Sequence, residues 1–154
     1  MKTTSDKPAI RRAILQDANA IKQCIDRAYA PVKERLIDLP DVSAGVEKEI
    51  SEKLVFVAEN NNFVAGCLIL ALQGTHAHLV NIAVDPEYHG RGIARLLIHT
   101  AEDYARRDGA SELRLATHSG MPENVALYTH LGWSETERTG NKVLMTKRLK
   151  GTTS

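Results

Sequence analysis

From Asn81 to Ile98 the chain reads NIAVDPEYHGRGIARLLI: an apolar run, a proline, two glycines around an arginine, then a helical pattern. The first four N–H groups of a helix have no partner inside it, and the aligned peptide dipoles make that end positive. Gly90 and Gly92 carry no Cβ, so an anion can come close to those amides. The stretch therefore predicts a turn that holds a phosphate-like group. Two other phosphate motifs fail at named residues. A P-loop needs a Gly-Lys-Ser/Thr run, and no lysine follows here. A dinucleotide fingerprint needs a third glycine where Arg95 stands. On these residues alone, a plain strand-to-helix turn remains the alternative.

A second group, MPENVALYTHLGW, runs from Met121 to Trp133. On a helix, Asn124 and Tyr128 are four apart and share a face. A tyrosine so placed ordinarily packs in the core or at its rim. Cys24 and Cys67 form neither a CxxC pair nor a metal spacing, so they read as buried free thiols of a reducing compartment. Neither has a paired base, which disfavours a covalent acyl-cysteine route. No His/Cys/carboxylate spacing suggests a metal.

Elements must position these groups. Ala9 to Leu15 is expected as a first strand, and Asp17 as the cap of a helix carrying Ala18, Ile21, Ile25 and Ala28 and ending before Pro31. Pro31 to Ser43 reads as irregular or a short helix, and Ala44 to Lys53 as a second amphipathic helix. Strands follow at Leu54–Ala58, Phe63–Leu72 and His76–Val84, the first two joined by a turn at Asn60-Asn61-Asn62. Ile93 to Arg107 is the clearest helix, with Gly109 suited to its end. A strand at Ser111–Thr117, a helix at Met121–Leu131 and a hairpin of Trp133–Arg138 with Lys142–Leu149 complete the order. Strand 76–84, helix 93–107 and strand 111–117 predict a right-handed crossover to a parallel neighbour. The fold class is α/β: a mixed, mostly antiparallel sheet with helices on both faces.

The 154 residues suit one domain with a full core, with residues 1–7 and 151–154 loose. A net charge of +1 gives no global field toward nucleic acid or an anionic membrane. No apolar run approaches the ~20 residues of a membrane span, and MKTTSDKPAI lacks the apolar core of a signal peptide. A cytoplasmic location, with neither nucleic acid nor membrane as partner, is expected. The apolar closing strand Val143–Met145 permits edge pairing in a homodimer.

The stretch V-D-P-E-Y-H-G-R-G-I-A-R-L-L resembles the acyl-CoA-binding motif of the GNAT superfamily of N-acyltransferases, V-x-P-x-[Y/F]-[Q/R]-G-x-G-[I/L]-[G/A]-x-x-L-L. The element order is similar to that fold over roughly residues 9 to 149. The resemblance implies that acetyl-CoA is the acyl donor, its pyrophosphate held by main-chain amides from Gly90 through Arg91, Gly92, Ile93 and Ala94 to Arg95. It implies that Ile82, Ala83 and Val84 lend backbone to the pantetheine arm as to an added strand. A main-chain N–H near Val84 would then polarise the thioester oxygen. His89 departs from the family's Gln or Arg; since that contact is mostly backbone, weakened or pH-sensitive affinity is the most it implies.

The run E-N-x-x-L-Y-x-x-L-G-[F/Y/W] is similar to a second motif of that superfamily. Carried onto Tyr128, it implies a phenol that protonates the departing CoA thiolate, sensible for a group with pKa near ~10. Asn124 is implied as a CoA contact; the asparagine many members carry seven residues before the tyrosine is Met121 here. The implied reaction is direct transfer of an acetyl group to a primary amine of a small molecule or peptide. A non-catalytic acyl-CoA-binding sensor is the alternative.

The base that takes the amine's proton is not assigned. Some relatives use a carboxylate where Ala116 stands, and His78, His118 and Glu34 are candidates. His76, His99 and His130 have no motif around them. Acceptor choice should rest on roughly Tyr29 to Val46 and Arg138 to Lys142.

Overall fold

The structure, a computed structural model, describes residues 8–34 and 45–149. In chain order the elements are β1 (Ala9–Arg12), α1 (Ala18–Lys33), α2 (Val46–Glu52), β2 (Leu54–Asn60), β3 (Phe63–Leu72), β4 (His76–Val84), α3 (Ile93–Arg107), β5 (Glu112–His118), α4 (Pro122–His130), β6 (Ser134–Thr139) and β7 (Lys142–Arg148). Short 3-10 turns stand at Leu15–Asp17 and Pro86–Tyr88. The sheet has seven strands in the order β1-β2-β3-β4-β5-β7-β6. Pairs β1/β2, β5/β7 and β6/β7 are antiparallel, while β4/β5 is parallel, as a strand–helix–strand crossover requires.

The chain divides into two compact units, one of residues up to Ile69 with Asn81–Ile98, the other of Leu70–Val80 with residues from His99 on. The first unit is built on an apolar cluster: Ile21, Cys24 and Ile25 of α1 and Val46 of α2 meet Val55, Val57, Cys67 and Ile69 of the sheet. Gly66 faces the other way, since successive strand residues point to opposite faces. A Cβ built there would lie 2.9 Å from Ile93 Cγ2, 3.1 Å from the Ala83 carbonyl oxygen and 3.2 Å from Leu97 Cδ1. Within this unit, then, α1 and the start of α3 cover opposite faces, and the first turn of α3 rests on bare backbone.

In the second unit, Leu113 and Leu115 of β5 and Val143 and Met145 of β7 are buried. Glu102 of α3, 6% exposed, accepts a 2.8 Å bond from Lys147 Nζ of β7, which also donates to the Leu131 carbonyl at 2.8 Å. One ammonium thus neutralises a buried carboxylate and satisfies a carbonyl at the end of α4.

Several boundaries differ from expectation for local reasons. β1 stops at Arg12 because Asp17 draws the chain into a turn: its carboxylate accepts the Ile14 amide at 2.8 Å and both terminal nitrogens of Arg11. Asp17 therefore precedes α1 without capping it through its side chain. Helix α1 continues through Pro31 to Lys33. A proline so near the end forfeits little of the hydrogen-bond ladder, and the added turn buries Val32. Strand β2 runs on to Asn60, and Asn61 and Asn62 turn with φ of 51° and 67°. The closing strand is not an edge: β7 lies between β5 and β6, and the outer strand is β6, every residue of which is exposed. The edge pairing expected of Val143–Met145 has no open edge to use. Residues 35–44 lie outside the described residues, and with them most of the stretch expected to choose the acceptor.

Candidate active site

Strand β4 delivers the chain to the glycine turn through Asp85, 3% exposed. Its amide donates to the Ala65 carbonyl of β3 at 2.8 Å, and its Oδ1 accepts the Glu87 amide at 2.9 Å. Its Oδ2 accepts the Nε–H of Arg27 from α1. The Asp-Pro-Glu sequence explains the local shape: aspartate caps a short turn whose first residue is proline. Sequence reasoning alone does not single out Asp85. Its signal was the D-P-E spacing itself, whereas its partner Arg27, 58 residues away, left none.

Aromatic groups continue the support. The Arg27 guanidinium lies 5.2 Å from the centre of the Phe63 ring, and that ring stacks on Tyr88 with centroids 5.6 Å apart and planes 20° apart. Arg91 then lies 4.8 Å from the centre of the Tyr88 ring. Cation and ring alternate beside the turn, which fixes Tyr88 and sets a second positive charge at its mouth.

The turn has the form that the sequence predicts. Gly90 and Gly92 have φ of 81° and 77°, in the left-handed region that side chains disfavour. No heavy atom beyond their chain neighbours comes within 4 Å of a Cβ built at either. The first bond of α3 runs from the Leu96 amide to the Gly92 carbonyl at 3.0 Å, so the amides of Gly92, Ile93, Ala94 and Arg95 have no partner inside the helix. His89, Gly90, Arg91, Gly92 and Arg95 are exposed, while Ile93 is buried and holds the helix start to the sheet. Of the strand residues, Ala83 is buried and Ile82 and Val84 are half-buried. The turn is thus an open, positively polarised cradle whose chemistry fits a pyrophosphate.

The second motif forms α4. Pro122 occupies its first turn after Met121. Tyr128 is 5% exposed, its ring tilted by 56° against that of Trp133 at 5.6 Å. Asn124 is half-buried, with Nδ2 4.0 Å from Met121 Sδ. Trp133 Nε1 is buried without a hydrogen-bond partner among the described residues.

The candidate bases differ in surroundings. His118 Nδ1 accepts the Gly120 amide at 2.9 Å. His78 is half-buried, and burial, with the charges of His76, Lys142 and Arg114, holds its pKa below the ordinary imidazole value. Glu34 is exposed just past the end of α1. In sequence, Tyr29 marks only the start of a specificity segment. Its hydroxyl donates to Asn81 Oδ1 at 3.1 Å, and burial pushes its pKa up to about 12, so it stays a phenol. Cys24 and Cys67 are both buried; a hydrogen bond between them and burial push the Cys67 thiol well up, as suits packing rather than attack. Among the described residues no group of three or more His, Cys, Asp or Glu is placed to hold a metal ion, and no helix is long and apolar enough to cross a membrane.

Comparison with known proteins adds to this geometry. Residues 20–133 match the acetyltransferase (GNAT) family. The ribosomal protein bS18-alanine N-acetyltransferase of Escherichia coli is 33% identical over 82 residues, which span 53% of this chain and 55% of that protein. The solved structure of that E. coli enzyme covers 96% of both chains with a TM-score of 0.75 at 23% identity. The PaiA N-acetyltransferase of Thermoplasma acidophilum, solved in complex with coenzyme A, has a TM-score of 0.77 at 20% identity over 92% of this chain and 98% of that one. At such identities the two structures establish the fold. With its glycine turn, its sheet order and a family match that spans most of its length, the chain belongs to the GNAT family of acetyltransferases.

Proposed function

We propose that the protein moves an acetyl group from acetyl-CoA directly to a primary amine of a small molecule or peptide, working as one N-acetyltransferase domain. The observation that carries this reading is the cradle at the head of α3: two left-handed glycines, open space where their Cβ atoms would stand, and four amides without helical partners. These amides, with Arg91 beside them, bind the pyrophosphate, and the backbone of Ile82 to Val84 receives the pantetheine arm. The Val84 N–H stabilises the oxygen that gains charge as the thioester carbonyl becomes tetrahedral. Tyr128 gives its proton to the departing thiolate, for which a phenol protonated at neutral pH is suited. Asn124, one turn before it on α4, is the accompanying CoA contact.

The named target of the E. coli relative, an alanine of a ribosomal protein, makes a peptide with an N-terminal alanine a first acceptor to try. The test is a panel of peptide and small-molecule amines scored by release of free CoA thiol. Thiol release that depends on one amine class supports transfer and names the acceptor. A protein that binds acetyl-CoA yet releases no thiol with any amine is a sensor, and the proposal of transfer fails.

A further inference from the structure

The second unit carries a cavity of about 530 Å³, lined by His76 and His78 of β4, Glu112, Arg114 and Leu115 of β5, Thr136 of β6, and Leu144, Met145 and Thr146 of β7. Strand register explains its chemistry. His78 stands opposite Arg114, and Arg114 opposite Thr146, so one row crosses three strands; the next reads His76, Glu112, Arg148. Lys142 pairs with His118 at the far end of β5 and adds its charge to those acting on His78. The lining carries His76, His78 and Arg114 against one carboxylate, Glu112, which Arg114 Nε holds at 2.5 Å. Outside the lining, Arg148 stands opposite Glu112 and Glu137 of β6 opposite Leu144.

Two sets of donors are unused. The His78 ring makes no hydrogen bond among the described residues, and the terminal nitrogens of Arg114 make none either. A half-buried imidazole among like charges is an arrangement that an anion relieves. From this juxtaposition we infer a second ligand site, separate from the glycine turn, that takes a small oxyanion, the phosphate or carboxylate group of a metabolite. The Arg114 fork and the His78 ring N–H donate to its oxygens, with the Thr146 hydroxyl on the same row. The apolar Leu144 beside them suits a ligand with a carbon body. His78 must be protonated to donate from both nitrogens, so affinity rises as pH falls. By linkage the bound anion raises the pKa of His78.

The probes are sulfate, a phosphate-shaped dianion of constant charge across neutral pH, and acetate for the carboxylate arm. Each is titrated into the full chain by calorimetry and by NMR of the His78 ring. The expected result is a saturable shift of the His78 signals, with binding about fivefold tighter near pH 6 than near pH 8. Arg114→Gln should weaken binding about tenfold, and Arg114→Lys should restore part of it. His78→Gln should retain binding but lose its pH dependence, while Gly92→Asp, which disables the turn, should leave this site unchanged. Response to sulfate alone assigns a phosphoryl group, and response to acetate alone a carboxylate. His78 signals unmoved by either anion, or binding that Gly92→Asp removes and Arg114→Gln spares, overturn the inference.

Discussion

Tyr128 and Gly92 make separate demands on the proposed reaction, and their variants should fail in separate ways. Tyr128→Phe keeps the ring against Trp133 and removes only the proton donor, so kcat should fall about 100-fold while the Kd for acetyl-CoA changes little. Steady-state thiol release and calorimetry divide the two effects; an unchanged kcat removes Tyr128 from the mechanism. Gly92→Asp puts a side chain where φ is 77° and a carboxylate where a pyrophosphate should lie, so acetyl-CoA binding should vanish in calorimetry. Retained binding would remove the turn from the site. The turn at Gly92 is legible in its glycine spacing, whereas Tyr128 reads by spacing as a packing residue and takes its proposed role from the family resemblance. Asp85 was half legible, as a cap before proline, but its ion pair with Arg27 belongs to the tertiary fold and to no local pattern.

At the scale of elements, two side chains hold pieces of chain that sequence periodicity placed without saying what fastens them. Lys147 ties β7 to α3 and to the end of α4, and removing it leaves the Glu102 carboxylate, 6% exposed, with the longer 3.6 Å pair to Arg106. Lys147→Met should cost roughly 2 kcal/mol in urea denaturation, between the exposed and fully buried limits for an ion pair. Asp17 anchors the turn between β1 and α1, and hydrogen bonds from Arg11 hold its pKa below the usual carboxylate value. A carboxyl with a folded pKa below its unfolded one, near ~3.9, stabilises the protein above that unfolded value and loses its effect as pH falls through the folded pKa. Asp17→Asn should therefore be less stable than wild type at neutral pH, with the gap closing in acid; a gap independent of pH would refute the linkage. Strands β3 and β4 and helix α3 match the expected bounds because their periodicity is unbroken, whereas β1, α1 and β2 end where side-chain bonds or asparagine turns decide.

For the molecule as a whole, alternation and turn signals set the succession of strands and helices, but not which strand would finish outermost. Sequence order put the apolar closing strand last, and the hairpin then folded it inward beside β5, leaving the polar β6 at the margin. The shared backbone plan of GNAT proteins sets the sheet order and the glycine turn, not the side chains expected to choose the acceptor. Gly66 shows how far the reach of the site extends within its unit. It touches no proposed reactant, yet a Cβ there would lie 2.9 Å from Ile93 Cγ2, where a methyl group cannot sit unless something shifts, and 3.1 Å from the Ala83 carbonyl oxygen. In a scan of every substitution, position 66 should thus score as intolerant, mimicking a ligand contact. Gly66→Ala would be misread there as a loss of chemistry when it has tilted the floor on which the cradle stands.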